Sequence, residues 1–178
     1  MSTDEMKVRD LTQAFSRADD MLAVHYACES FFEAVSPAAV SCIAITDVRE
    51  GTTNAYSPMD LPPERDRVQR ERDVLERFYK HLRGRQNAKV IHWNMNTASY
   101  GFAALETRYR YLADKEPPYT LPSSRVYDLD ALITSQFGEG YAKHPKLLNL
   151  ASLNSLSMRS FLSPESASSA VTRGVGWR

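Results

Sequence analysis

From Met21 to Cys28 the residues Leu22, Val24, Tyr26 and Cys28 alternate with Ala23, His25, Ala27 and Glu29, the two-residue period of a strand. Val40 to Val48 is a β-branched run. Arg49-Glu50-Gly51 then reads as a turn into a short strand from Thr53 to Ser57, so the two segments predict a hairpin. Ahead of them, Val8, Leu11, Ala14 and Phe15 recur at helical spacing among charges, which predicts a short amphipathic helix within 7–20. After Pro62-Pro63, residues 64–85 place Val68, Leu75, Phe78, Tyr79 and Leu82 on one face of a helix. Lys89 to Trp93 reads as a strand entering the polar turn 94–99. Tyr100, Leu105, Tyr109 and Leu112 then predict a helix over 99–114, with Gly101 a weak residue near its start. Arg125 to Leu129 is a short strand, Asp130 to Phe137 a helix, and His144 to Asn154 a second helix that accepts Pro145 in its first turn. From Ser155 the apolar signal fades into serine and alanine, with one short helix expected around Glu165 to Val171 and fraying around it.

This order predicts an α/β fold: a mixed sheet in which an antiparallel meander precedes parallel strands joined by right-handed crossovers, flanked by helices. Ligands in such sheets gather at the carboxyl ends of neighbouring parallel strands. With strands 21–28 and 89–93 side by side, the crevice is expected between Glu29 and Asn94 to Asn96.

Composition narrows the function without naming it. The 178 residues suffice for one domain, and 43% hydrophobic with 25% charged residues is ordinary for a globular chain. Twenty-two basic residues balance twenty-two acidic ones, so no global positive field exists and nucleic-acid binding would rest on local patches. Cys28 and Cys42 are the only cysteines and lack the spacing of a zinc site. The acidic start Met1-Ser-Thr-Asp-Glu is unlike a leader and no apolar run spans a bilayer, so a cytoplasmic location with reduced thiols, and no membrane partner, is expected.

Four segments carry a resemblance: SCIAITDVREGTTNAYS, ERDVLERFYKHL, KVIHWNMNTASYGFAALETRYRYL and RVYDLDALI. Over roughly residues 21–155 the chain resembles the ribonuclease H-like DEDD 3′-5′ exonucleases, especially the proofreading domains of family B DNA polymerases. The resemblance implies a ribonuclease H-like domain at 21–155, preceded by an N-terminal helical extension at 1–20 and followed by a poorly ordered or truncated tail at 156–178. It also implies a nuclease in which carboxylates hold two divalent ions. The catalytic motifs are degenerate. Where the family's first strand ends Asp-x-Glu, this chain has Ala27-Cys28-Glu29; the second motif keeps Asn96 and Arg108 but has Gly101 in place of its aspartate; and the tail offers Glu165 alone for the third.

The expected function is therefore a catalytically inactive, exonuclease-like domain acting as a nucleic-acid-binding or interaction module, with no cofactor and with single-stranded nucleic acid or a protein as partner. One alternative is an active metal-dependent 3′-5′ exonuclease using a displaced carboxylate set. There Glu29 and Asp128 would be catalytic and hold Mg or Mn, joined by the amide oxygens of Asn94 and Asn96. Asp47 is expected to point elsewhere. Another alternative is a truncated domain that functions only within a larger assembly. Asn94, Asn96, Arg108 and Tyr100 are the candidate nucleic-acid contacts, through phosphate or ribose hydrogen bonds and base stacking. Each has a plainer reading: the asparagines as turn residues, Arg108 paired with Glu106 or a nearby acid, Tyr100 in the core, and Glu29 as a hydrogen-bonded strand end. His25 and His92 are expected to face one another across adjacent strands, more as packed residues than as acid, base or ligand. The stretch 64–85 holds eight basic and five acidic residues, ordinarily a solvated face but one able to lie along a nucleic-acid backbone.

Overall fold

The structure, a computed structural model, describes residues 2–29 and 37–156. A helix α1 (Thr3–Arg17) leads into a strand β1 (Met21–Cys28), and the hairpin follows as β2 (Val40–Asp47) and β3 (Thr53–Tyr56). Helix α2 (Arg67–Gly84), strand β4 (Lys89–His92), helix α3 (Phe102–Ala113) and strand β5 (Val126–Asp128) come next, and helices α4 (Leu129–Phe137) and α5 (Lys146–Leu153) close the described chain. Within the described residues the expected elements are present, with ends moved by a few residues. The helix expected around Glu165 to Val171, and Glu165 itself, lie outside the described residues.

The five strands form one mixed sheet in the order β3-β2-β1-β4-β5. β3, β2 and β1 pair antiparallel, whereas β1, β4 and β5 run parallel. The alternation along β1 sends Leu22, Val24 and Tyr26 to one face, where they meet Ile43, Ile45 and Val90 and the stripe Val74, Leu75, Phe78, Tyr79 and Leu82 of α2. Leu105 and Tyr109 of α3 complete this core. The opposite face is smaller: Met21, Ile91 and Tyr127 pack against Leu11 and Ala14 of α1 and Leu132 of α4.

Local chemistry sets the helix ends. Ser2 and Glu5 form a capping box on α1, and the carboxylate of Asp66 accepts the Gln69 N–H at the start of α2. The segment 1–20 is tied to the sheet: Lys7 donates to the Val126 carbonyl at 2.8 Å, and Asp10 accepts from Lys89 at 2.9 and 3.0 Å and from the Tyr127 hydroxyl. Those bonds, led by that from Tyr127, hold the Asp10 carboxyl below its usual range.

One expectation about α2 is corrected. Val68 is 54% exposed, and the position one turn further along the apolar stripe belongs to Glu71, which is 2% exposed. Glu71 receives a bidentate pair from Arg108 of α3, Nε to Oε1 at 2.8 Å and Nη2 to Oε2 at 2.6 Å, and also the Val40 N–H at 2.7 Å. Arg108 in turn donates to the Pro37 carbonyl at 2.8 Å. A charge pair so deep is tolerated because nearly every polar atom in it has a partner.

Candidate functional site at the strand ends

Parallel pairing of β1 with β4 runs only from Met21↔Lys89 to Ala23↔Ile91, so His92 lies level with Val24 and β4 then turns away. β1 continues to Cys28 without a β4 neighbour. The loop 94–101 crosses this uncovered edge: the Tyr100 hydroxyl donates to the Tyr26 carbonyl at 2.8 Å, its ring stacks on Tyr26 at 4.6 Å, and the Gly101 N–H donates to the Tyr26 hydroxyl at 2.9 Å. Burial pushes the Tyr26 and Tyr100 hydroxyls well above the ordinary phenol range.

Gly101 closes the loop because nothing else fits. A β-carbon there would stand 2.5 Å from the Met95 carbonyl oxygen, and an isolated bridge joins Asn96 to Gly101. A carboxylate at this position is sterically excluded by the loop that the chain has built.

Asp128 sits at the end of β5 and caps α4. Its Oδ1 accepts the N–H groups of Asn94 at 3.0 Å and Asp130 at 3.1 Å, and its Oδ2 accepts the Asn96 side-chain amide at 2.7 Å. The structure thus brings together Asn94, Asn96 and Asp128, as a clasp between the β4 and β5 ends. Asn94 holds a positive φ of 52°, a conformation asparagine adopts more readily than most residues.

Glu29 is not part of this cluster, contrary to the expected crevice. It follows the last residue of β1, five residues past the level of His92, which is about 16 Å of extended strand. There it pairs with Arg67 at the start of α2, in a cleft lined also by Ser41, Pro58 and Arg70. Glu29 and Asp128 therefore share no cation site, and among the described residues no group of three His, Cys, Asp or Glu side chains is placed to hold a metal ion. The donor set does not fit a two-ion centre, which needs several carboxylate oxygens converging on ions. Asp47 also lies elsewhere: it accepts the N–H groups of Arg49 and Glu50 in the hairpin turn and pairs with Arg85.

Arg108 is placed in the interior on Glu71, with 7% exposure, and so is not positioned to contact phosphate. His25 of β1 and His92 of β4 sit on neighbouring strands and line one cavity. His92 is buried beneath the loop, edge-on to Phe102 at 5.6 Å, and its Nδ1 accepts the Met95 N–H at 3.1 Å. His25 lies at the rim, with the Tyr100 hydroxyl 3.3 Å from its Nε2. Desolvation lowers both imidazoles below their ordinary value, His25 through its concave surroundings although its side chain stays open to solvent. The Cys28 thiol is pushed up to about 11, first by burial and then by Glu29, so it is not a thiolate nucleophile at neutral pH.

His25 and His92 line a cavity of about 210 Å³ together with Ala23, Ile91, Trp93 and Leu147. Its walls are mostly apolar, with the two histidines and Thr46 as their polar side chains. Trp93 was not among the sequence candidates, although its signal was present: an aromatic residue immediately after a buried strand, at the edge where ligands collect.

No protein-family model matches the chain, and no curated protein matches it. Its class rests on the fold: an α/β protein with a five-stranded mixed sheet flanked by helices. Among the described residues no helix is long and apolar enough to cross a membrane.

Proposed function

We propose that the chain is a ribonuclease H-like domain of the DEDD exonuclease type whose carboxylate set is degenerate, and that it acts as a nucleic-acid-binding or interaction module rather than as a nuclease. The scaffold part of this reading is supported by the strand order β3-β2-β1-β4-β5, an antiparallel meander on one side of β1 and two parallel crossover strands on the other. The functional part rests on Asp128, whose two oxygens are engaged by Asn94, Asn96 and Asp130. An acid at the strand ends that fastens a turn is doing different work from one that grips an ion. Single-stranded nucleic acid is the proposed partner, and a cytoplasmic setting belongs to the same reading, supported by two free cysteines.

The test incubates the full chain with a labelled single-stranded oligonucleotide and magnesium or manganese. Binding that weakens with salt, with the strand left intact, is the expected result. Cleavage that disappears in both Glu29→Gln and Asp128→Asn would contradict the proposal.

A further inference from the structure

The charge run of α2 carries a surplus that only the folded structure makes visible. Basic helices in soluble proteins ordinarily neutralise themselves through pairs three or four residues apart. In α2, the spacing offers Arg72–Glu76, Glu76–Lys80 and Asp73–Arg77. None of these pairs forms. Every acid at or within the helix is instead engaged elsewhere: Asp66 caps the first turn, Glu71 is buried on Arg108, Asp73 pairs with Arg65, and Glu76 takes the Tyr109 hydroxyl and Lys115 at 3.4 Å.

What remains is Arg72, Arg77, Lys80 and Arg83, all exposed and none ion-paired among the described residues. They span twelve residues, about 16 Å of helix, with Arg77, Lys80 and Arg83 turned away from the stripe that α2 buries in the core and Arg72 at its flank. In a chain of zero formal charge this is a local positive ridge. The large hydrophobic residue that α2 exposes is Val68, at its other end, so the ridge lacks the apolar face that inserts into a bilayer.

We infer that this outer face of α2 is where the protein holds the phosphate backbone of a single-stranded nucleic acid, remote from the strand-end cluster. The inference rests on the proposed function and gives it a surface. Four cations on four phosphates release counterions and give a slope of log affinity against log salt near −2.8, about 50-fold weaker binding for a fourfold rise in salt.

The experiment measures fluorescence anisotropy of a labelled mixed-sequence single strand across a salt series. It compares the full chain, a variant carrying Arg72→Gln, Arg77→Gln, Lys80→Gln and Arg83→Gln together, and a strand-end variant carrying Asn94→Ala and Asn96→Ala. Thermal unfolding confirms that each is folded. The expected result is that the α2 variant loses most of the salt slope and binds at least tenfold more weakly at low salt, while the strand-end variant keeps its slope. An unchanged slope in the α2 variant, with loss in the strand-end variant, overturns this inference and leaves the functional reading standing. No binding by the unaltered chain at low salt overturns both, and retention on anionic lipid vesicles in that case would assign the ridge to a membrane surface instead.

Discussion

His92 shows how one side chain fastens the strand-end loop. Its Nδ1 must be unprotonated to accept the Met95 N–H, and burial lowers its pKa, so the folded protein favours the neutral ring. A folded pKa below the unfolded value near 6.5 means that this contribution is complete above about pH 6.5 and is lost as the pH falls from there through the folded pKa. His25 and His81 are lowered by desolvation as well. Thermal midpoints should therefore drop on mild acidification, and His92→Gln, which keeps an acceptor without a titrating ring, should flatten the drop without abolishing it. An identical pH profile in the variant would refute the assignment. Gly101 offers a second test at this scale. Gly101→Asp, which puts an acid where the proposed exonuclease likeness would have one, should cost about 1–3 kcal/mol through the collision with the Met95 carbonyl, read as a lowered unfolding midpoint, and should confer no nuclease activity. A stable Gly101→Asp protein that cleaves single strands would show that the loop yields.

The elements were largely legible in the sequence because each rests on local patterning. Alternation along 21–28, the β-branched run at 40–48 and the 3.6-residue stripe of α2 all correspond to buried faces. What local patterning lacks is register. Only the pair Ala23↔Ile91 reveals that β1 outruns β4 and carries Glu29 away from Asn94 and Asn96. Helix α3 begins at Phe102 rather than Ser99 because residues 99–101 are needed to bring the chain back onto Tyr26. Arg108 illustrates the same limit: Glu106, its near neighbour in sequence, pairs with Arg110, while Arg108 reaches Glu71 from 37 residues away. The clue was an acid on an apolar stripe, since Glu71 precedes Val74, Leu75 and Phe78 at core spacing. Glu71→Gln should destabilise the fold by about 3–5 kcal/mol, because it leaves a buried guanidinium without its counter-charge. Replacing both partners, Glu71→Leu with Arg108→Met, should cost less, the remainder reflecting the orphaned Val40 N–H and Pro37 carbonyl. Chemical denaturation of the two variants decides this, and a double variant worse than Glu71→Gln would contradict it.

At the scale of the whole molecule, zero net charge conceals an uneven distribution. Several acids are engaged in clasps, caps and turns: Asp128 at the strand ends, Asp66 on α2, Asp47 in the hairpin, Asp10 on the sheet side of α1. Cations are left over on α2. On the proposed reading such a molecule offers a basic surface to phosphate, and among its described residues no group of three His, Cys, Asp or Glu side chains is placed for a divalent ion. These are two faces of one account, in which the strand ends hold a loop and α2 holds the ligand.

The most direct check of that account is the unfolding midpoint of the full chain as manganese is added, followed in parallel for Asp128→Asn. A resident site would raise the midpoint in proportion to RT ln(1 + [Mn]/Kd). The account predicts no rise in either protein. A saturating rise in the unaltered chain that Asp128→Asn abolishes would contradict it, because it would return Asp128 to the work of holding an ion.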